Sequence, residues 1–238
     1  MHTFKTRGLV LREYEAGESD KRLVILCKDH GRLLVYVRGA RKPKSKFLAA
    51  SQLLTYGDFV LADGRQFYSM TQAEIIESFY PIRQDYDLLC HAAYIIEICE
   101  KAVPERSPCD ELLRLALKSL QHISLQDIPP KQTTVVFLFR FFLFYGLAPE
   151  MDSCSVCGGE LDGKKTFCSE GMICNNCKGK SRIVLSDAAY YALRHILERD
   201  INQSFLFKLE DAAIKQLGQA ANLCWLSHFQ FPLQADIF

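Results

Sequence analysis

Residues 22–37 read RLVILCKDHGRLLVYV, and this stretch decides how the N-terminal part of the chain folds. Two runs rich in Val, Leu and Ile are separated by Asp29, His30 and Gly31. Apolar runs joined by a short turn that contains Gly are typical of a β-hairpin, because Gly tolerates the positive φ of a tight turn. The sequence therefore predicts two adjacent strands, at residues 22–28 and 32–39.

The same pattern extends over the first 80 residues. Short apolar runs alternate with turn residues such as Asp63 and Gly64, and three further strands are predicted at residues 4–14, 58–62 and 66–75. Closing five strands into a barrel removes exposed edges, and the OB-type barrel is the five-stranded form that often binds nucleic acids. We therefore expect an N-terminal OB-fold domain over residues 1–80, of a type that often binds nucleic acids.

The apolar period changes from two to 3.6 after Pro81, which predicts an α+β protein with a helical domain over residues 81–238. A first helix carries one apolar stripe from Leu88 to Cys99 and ends before Pro104. The other predicted helices cover residues 107–123, with Ser107 as the N-cap, and residues 129–146, 187–199 and 209–229. Residues 135–144 are apolar nearly all round, so this helix is expected in the core.

Composition excludes several classes of protein. The chain has 238 residues, of which 49% are hydrophobic and 24% charged, so it is not disordered. Its longest apolar run, residues 135–148, contains Arg140 and is shorter than the roughly 18 to 20 residues that cross a bilayer, and no signal-like segment follows Met1. We expect a cytoplasmic protein without membrane contact, whose ten cysteines are reduced thiols or metal ligands.

Charge is distributed unevenly along the chain. Residues 1–46 carry 12 Lys and Arg against 5 Asp and Glu, a net charge of +7, whereas the remainder carries 17 against 23, a net charge of −6. A basic segment on an acidic body is typical of a local electropositive surface that attracts a polyanion. The partner of such a surface is expected to bind at one end of the molecule.

The segment from Arg38 to Lys46 reads RGARKPKSK and has five cations and no acid. We call it the basic loop, because Gly39 and Pro43 disfavour a helix after the third strand. Cations held at a barrel edge neutralise successive phosphates and release counterions without reading sequence. The alternative is a solvated loop whose charges serve only solubility. Candidates to extend this surface are Arg12, Lys21 and Arg22 as cations, and Tyr14, Tyr36 and Phe47 as aromatic residues that stack on bases.

Two Cys-x-x-Cys pairs lie in a polar stretch rich in Gly and Lys. Cys154 and Cys157 are separated from Cys174 and Cys177 by 16 residues, which is the spacing of two knuckles that converge on one tetrahedral zinc. Because the stretch is too short to fold by hydrophobic burial alone, the sequence predicts a zinc-binding insert at about residues 151–184. The alternative is four unmetallated thiols in a loop.

The predicted zinc is structural. Four thiolates close the coordination shell, whereas a catalytic zinc keeps one position open for water. The chain also lacks H-E-x-x-H, G-x-S-x-G and P-loop motifs, so we predict no catalytic residue and a protein that is not an enzyme. Cys168 lies outside both pairs and is expected to be a bystander, with replacement of one knuckle cysteine as the other option.

Several short signatures occur in order along the chain. The N-terminal ones are GLVLR at residues 8–12, GESD at 17–20, HG at 30–31 and RGARKPKS at 38–45. The C-terminal ones are the helix end at residues 141–149, EMDSCSVCG at 150–158, and the knuckle of Cys174 and Cys177. In this joint order, over nearly the whole chain, they resemble the RecO family of bacterial DNA recombination mediators.

The resemblance implies an OB-fold, a helical domain and a zinc-bearing insert. RecO proteins bind single- and double-stranded DNA, anneal complementary strands and, with RecR, help load the RecA recombinase onto DNA coated by single-strand-binding protein. Carried over by position, the DNA contacts are Arg38, Arg41, Lys42 and Lys44, then Lys21 and Arg22, and the Zn²⁺ ligands are Cys154, Cys157, Cys174 and Cys177.

The partners implied by the resemblance are single- and double-stranded DNA, RecR and the C-terminal tail of single-strand-binding protein. RecF is a further candidate partner, and the expected location is the bacterial cytoplasm in association with the nucleoid. A different class of function stays open from the residues alone: a zinc-containing adaptor whose basic loop binds acidic protein tails. A zinc hydrolase is the weakest alternative, because all four candidate ligands are thiolates.

Overall fold

The N-terminal strands form a closed barrel in a computed structural model of the chain, which describes residues 2–64, 66–161, 163–177 and 182–229. The strands are β1 (Thr3–Ala16), β2 (Asp20–Cys27), β3 (Gly31–Val37), β4 (Tyr56–Ala62) and β5 (Tyr68–Glu77). Their order around the barrel is β1-β2-β3-β5-β4, which is the OB-type arrangement. The predicted barrel is confirmed, and every predicted strand lies within two residues of the observed one.

The alternation of side chains along β3 shows why these residues form a barrel. Leu33, Val35 and Val37 lie in the barrel core, whereas Arg32 and Tyr36 point outward and are half-buried. Successive side chains of a strand face opposite sides, so an apolar residue at every second position provides one buried face.

Neighbouring strands of the barrel are paired over different lengths. β1 pairs with β4 along Thr3–Leu9 and with β2 from Gly8 onward, and a register shift between Val10 and Arg12 marks a bulge that bends the strand. β3 and β5 run parallel and pair only where Val35 lies opposite Tyr68 and Tyr36 opposite Ser69. The barrel is therefore closed on this side by two residue pairs.

Six α-helices follow β5 within the described residues. They are α1 (Tyr80–Gln84), α2 (Tyr86–Ala102), α3 (Asp110–Leu125), α4 (Pro130–Phe144), α5 (Asp187–Glu198) and α6 (Asp211–His228). The sequence predicts the five long helices but not α1, because five residues are too few to show a helical period. The N-cap Ser186 of α5 is confirmed, since its hydroxyl accepts a hydrogen bond from Ala189 N at 3.2 Å.

The prediction that α3 begins at Ser107 is wrong, because the preceding backbone is bound to the barrel. The N–H of Arg106 donates to the carbonyl of Arg32 at 3.2 Å. At Gly31 a Cβ atom would lie 2.0 Å from the carbonyl oxygen of Ser107. Since residues 105–107 run against the start of β3, the helix begins only at Asp110.

The chain divides into two compact units, one up to Ser124 and one from Leu125 onward. In the first unit α2 packs on β1 and β2, and Arg12 Nε lies 2.7 Å from a carboxylate oxygen of Glu100. Four further residues of β1 and β2 that are not part of the barrel core are also buried: Leu9, Leu11, Val24 and Leu26. The domain boundary near residue 80 stays a prediction, since the compact unit that contains the barrel also includes α2 and α3.

In the second unit α4 is the central helix, as predicted. Phe137, Phe139, Phe141 and Phe142 are fully buried, and the ring of Trp225 on α6 lies 5.9 Å from that of Phe141. Such a cluster of aromatic side chains buries a large apolar area. No helix within the described residues combines the length and apolar character needed to cross a membrane.

The segment between α4 and α5 forms a small sheet. Its strands are β6 (Thr166–Cys168), β7 (Gly171–Ile173) and β8 (Ile183–Val184), in the order β7-β6-β8. The hairpin of β6 and β7 leads directly into the second cysteine pair, so the sheet positions that pair.

Candidate nucleic-acid interface and metal centre

The basic loop leaves the barrel directly after β3, and its four predicted DNA-binding residues are exposed: Arg38, Arg41, Lys42 and Lys44. Ala40 and Phe47 belong to the barrel core, so the loop is packed against the barrel at two points while its cations face solvent. Phe47 is only 8% exposed, which removes it from the candidates for base stacking.

The carboxylate of Asp20 holds the loop to the turn between β1 and β2. It accepts hydrogen bonds from Gly39 N at 2.6 Å, from the hydroxyl of Tyr36 and from Ser19 Oγ at 3.3 Å. These donors, the Tyr36 hydroxyl most of all, lower the pKa of Asp20 below its ordinary value of 3.8. Because Arg41 N also donates to the carbonyl of Ser19 at 2.8 Å, the turn and the loop form one connected surface.

The cations of the loop differ in what they contact. Arg41 lies 2.8 Å from a carboxylate oxygen of Glu15, in an exposed ion pair of a kind worth about 0.2–1 kcal/mol. Lys46 donates to the carbonyl of Thr71 at 3.1 Å. Arg38, Lys42 and Lys44 form no ion pair within the described residues. Most of the loop's positive charge is therefore open to an incoming anion.

Lys21 and Arg22 point to opposite sides of β2. The Lys21 ammonium binds the carboxylate of Glu13 and lies 3.3 Å from the carbonyl of Ser51, and its side chain is 14% exposed. Arg22 is exposed on the outer face. The structure therefore leaves Arg22 exposed, whereas Lys21 is already bound by Glu13 and by the carbonyl of Ser51.

A row of three side chains crosses the outer face of the barrel. Arg22 lies opposite Tyr14 on β1 and opposite Tyr36 on β3, so aromatic, cationic and aromatic side chains follow one another. The guanidinium of Arg12 lies 6.0 Å from the centre of the Tyr14 ring, which is 42% exposed. Sequence reasoning singled out these side chains one by one and missed the row, because the strand register that aligns them is set by the length of the turn.

The candidate metal centre consists of four cysteine sulfurs. The Sγ atoms of Cys154, Cys157, Cys174 and Cys177 all lie within 4.8 Å of one another. A zinc ion with Zn–S bonds of about 2.3 Å in tetrahedral geometry holds its sulfurs about 3.8 Å apart, and those of Cys157 and Cys174 are 3.9 Å apart. The donor set, its charge and its spacing fit a four-thiolate metal site.

Backbone hydrogen bonds build this centre. Gly158 N donates to the carbonyl of Cys154 at 2.8 Å and closes the first knuckle, where Gly158 has a φ of +71°. Ser155 N donates to the carbonyl of Met172 at 2.9 Å, which ties this knuckle to β7. β7 ends at Ile173, so the second pair begins at the next residue and faces the first.

The thiols of the chain differ in their acidity. Backbone N–H groups, that of Cys174 most of all and then that of Cys157, lower the pKa of Cys154 to about 6. Hydrogen bonds with Cys157 and Cys174 raise the pKa of Cys177 to about 12. Burial raises the pKa of Cys27 to about 12, as expected of a cysteine that packs as a small apolar residue. Of these three thiols, Cys154 is the one whose surroundings favour the thiolate.

Cys168 lies outside this centre. Its Sγ is 3.5 Å from Ser155 Oγ and 3.4 Å from a carboxylate oxygen of Glu170, and it is not one of the four clustered sulfurs. Cys168 is therefore placed outside the four-sulfur cluster, and its role as a bystander stays a prediction.

Comparison with protein families gives two adjacent matches. Residues 1–79 match the family model described as "Recombination protein O N terminal", and residues 83–236 match "Recombination protein O C terminal".

Individual proteins from several bacteria are similar along most of the chain. The DNA repair protein RecO of Acetivibrio thermocellus is 34% identical over 225 residues, which cover 93% of this chain and 90% of that protein. DNA repair protein RecO of Alkaliphilus metalliredigens is 36% identical over 74% of this chain and 72% of its own length. DNA repair protein RecO of Listeria innocua is 35% identical over 75% of this chain and 70% of its own length.

Proposed function

The chain belongs to the RecO family of DNA repair and recombination mediators, and on that basis we propose that it binds single- and double-stranded DNA through the basic loop and anneals complementary strands. We further propose that it acts with RecR to load RecA onto DNA coated by single-strand-binding protein, whose C-terminal tail it binds, with RecF as a further partner. Its place of action is then the nucleoid in the bacterial cytoplasm.

The observation that carries the proposal is the exposed, connected cationic surface. Arg38, Lys42 and Lys44 are exposed and form no ion pair within the described part of the chain, and Arg41 has only an exposed partner. A phosphate can replace the Glu15 carboxylate at Arg41 at small cost, because an exposed ion pair is weak. Binding then releases counterions from the DNA, and this release supplies affinity that falls as salt rises.

The row of Tyr14, Arg22 and Tyr36 supports single-strand binding. Aromatic side chains that stack on bases contribute about 1–3 kcal/mol per base and accept any sequence. Arg22 between the two rings contacts a phosphate or stacks on a base itself. For Lys21, which the resemblance implies as a DNA contact, we propose a role through its charge alone, since it already binds Glu13 and the carbonyl of Ser51.

In this proposal, the neutralisation of phosphate charge is sufficient to promote strand annealing. Two strands repel through their phosphates, so a protein that neutralises phosphates along one edge lowers the barrier to pairing while base edges stay free. No proton transfer or covalent step is needed, and we therefore propose a protein that is not an enzyme.

We propose that the metal is one structural Zn²⁺ held by Cys154, Cys157, Cys174 and Cys177. Four thiolates satisfy its coordination, so it supplies folding free energy to the insert rather than a reactive water. The residues of the insert bury few large apolar side chains, and the metal replaces that missing core.

A charge-reversal variant tests the DNA site. Arg41→Glu with Lys42→Glu should weaken binding to DNA of unrelated sequences about equally and reduce the salt slope for single strands by about 1.4, at about 0.7 for each phosphate that is no longer neutralised. Fluorescence anisotropy across a salt series measures both. The matched control is Arg114→Glu with Lys118→Glu on α3, which makes the same charge change and should leave the slope unchanged.

Two outcomes would contradict the proposal. One is a loop variant that keeps both affinity and slope. The other is the adaptor alternative: at low salt, single-stranded DNA fails to bind while an acidic peptide binds to the basic loop.

A further inference from the structure

The second half of β5, residues 71–77, has a neighbouring strand on one side only. β4 pairs with it from Val60 opposite Gln72 to Tyr56 opposite Glu77, whereas β3 pairs with β5 no further than Ser69. Within the described residues, no backbone hydrogen bond joins the other edge of residues 71–77 to another segment. We call this edge the free β5 edge.

The side chains along this edge are unusual for an exposed strand. Ile75 and Ile76 are 41% and 48% exposed, and a register shift opposite Tyr56 and Gly57 leaves Ile76 as the extra residue of a bulge in β5. Natural proteins protect an open edge with a short strand, a proline, charged residues or a bulge. Here Glu74 and Glu77 flank the two isoleucines, and Lys46 contacts the edge at the carbonyl of Thr71. Asp58 of β4, which lies opposite Glu74, is already paired with Lys5 and Arg7.

We propose that the free β5 edge is a docking site for an extended segment of a protein partner that combines apolar residues with Lys or Arg and adds to the barrel as a further strand. Unpaired backbone groups supply hydrogen bonds to such a strand, and side chains at alternate positions supply specificity. Lysines opposite Glu74 and Glu77 and apolar residues opposite Ile75 and Ile76 would match the edge in both charge and polarity.

The charge of this edge favours a basic peptide segment over the two other possible occupants, nucleic acid and a second copy of the chain. Nucleic acid is a polyanion, and Glu74 and Glu77 repel it. A second copy of the chain matches the edge less well than a basic segment, because residues 71–77 contain no Lys or Arg that could lie opposite Glu74 or Glu77.

This docking site adjoins the basic loop at Lys46, which contacts the carbonyl of Thr71, but it does not use the four proposed DNA contacts. It rests on the backbone edge and the side chains of residues 74–77, not on Arg38, Arg41, Lys42 or Lys44. A partner could therefore be bound to the barrel while the exposed cations hold DNA.

The test uses a labelled heptapeptide, Lys-Val-Val-Lys-Val-Val-Lys, with blocked ends, and the full-length protein. Fluorescence anisotropy should show saturable binding of this peptide and no binding of Glu-Val-Val-Glu-Val-Val-Glu. Ile75→Thr with Ile76→Thr keeps the charge and the β-branched side chains, so the barrel should fold, but it should weaken peptide binding about tenfold because two apolar cross-strand pairs are removed. Glu74→Gln should weaken it by a smaller factor.

Control measurements show whether the peptide binds at the free β5 edge. Leu206→Thr removes another exposed apolar side chain, which is 70% exposed, and should leave peptide affinity unchanged. DNA affinity should be unchanged in the double Thr variant, so failure of the docking site and failure of the DNA site give different results. Hydrogen exchange should show new protection at residues 71–77 when the peptide is bound.

Three results would overturn the proposal. The first is equal peptide affinity of the wild-type chain and the double Thr variant. The second is protection by the peptide at residues other than 71–77. The third is a dimer in sedimentation experiments that the double Thr substitution dissociates, which would assign the edge to a second copy.

Discussion

Asp20 shows how one carboxylate can organise a binding surface. It is the common acceptor for the Gly39 N–H, the Tyr36 hydroxyl and the Ser19 hydroxyl, so it joins the basic loop to β3 and to the first turn. A loop of like charges repels itself, and an anchoring acid at its base keeps the cations in place while leaving them exposed.

The lowered pKa of Asp20 gives a pH dependence with a definite sign. A carboxylate whose pKa is lower in the folded chain stabilises the fold above its ordinary pKa of 3.8, and this contribution is lost as pH falls through the lowered folded value. Asp20→Asn should therefore be less stable than the wild type at pH 7, and the difference should shrink below pH 3.8. Urea unfolding at several pH values measures this.

Tyr36→Phe is the companion variant, because it removes the largest cause of the lowered pKa. NMR titration of the Asp20 carboxyl should then show a pKa closer to 3.8 than in the wild type. A wild-type Asp20 that titrates at or above 3.8 would contradict the anchoring role.

Gly31 and Gly17 illustrate two structural reasons for a glycine: a positive φ angle and close packing against another segment. Both have positive φ, at 68° and 60°, but a Cβ at Gly31 would meet the backbone of Ser107, whereas a Cβ at Gly17 meets nothing within 4 Å. Gly17→Ala should cost about 1–2 kcal/mol of unfolding free energy from backbone strain alone. Gly31→Ala should cost more, because the connection between α2 and α3 must also move. Equal destabilisation of the two variants in thermal or urea unfolding would show that the packing against Ser107 does not constrain the fold.

At the scale of elements, the proposed zinc would stabilise the insert through the four clustered cysteines. Cys154→Ser should lower the bound zinc well below one ion per chain and speed hydrogen exchange at residues 150–177, because structural zinc supplies folding free energy. Metal analysis and hydrogen exchange measure both effects. Cys168→Ser is the matched control, since Cys168 is buried beside the centre but is not one of its four sulfurs. Equal zinc loss in both variants would contradict the assigned ligand set.

The elements were predictable where a short-range pattern determines them. The alternation of short apolar runs with turn residues located all five barrel strands. The cysteine spacing identified the four sulfurs that lie close together. Long-range contacts were not predictable: the start of α3 depends on Ser107 packing against Gly31, and the inward direction of Lys21 depends on the register after the first turn. Sequence patterns record local geometry, whereas these features depend on residues that are distant along the chain.

At the scale of the whole molecule, the basic loop and the candidate metal centre belong to different compact units. The basic loop lies in the unit that ends at Ser124, and the four clustered cysteines lie in the unit that begins at Leu125. Units with separate cores often unfold in separate transitions. The metal should therefore stabilise one unit without contributing directly to the electrostatic surface of the other.

Chelation tests this separation. Removal of the metal should lower the melting temperature of one calorimetric transition and leave the other within about 1–2 °C, because ligand binding stabilises only the unit that binds it. Low-salt affinity for single-stranded DNA, measured at the same temperature, should change little. Equal shifts of both transitions, or loss of DNA binding on chelation, would contradict a purely local role of the metal.

The two residue pairs that close the barrel between β3 and β5 also have a mechanical consequence. Every other junction in the barrel has seven or more paired positions, so this one is the weakest seam. Under tension or thermal fluctuation the cylinder should part there first and unroll into a curved ribbon with β3 at one margin and β5 at the other. Arg38 follows β3 directly, so such breathing would carry the start of the cationic segment along with that margin and let the binding surface adapt to a single strand or a wider duplex.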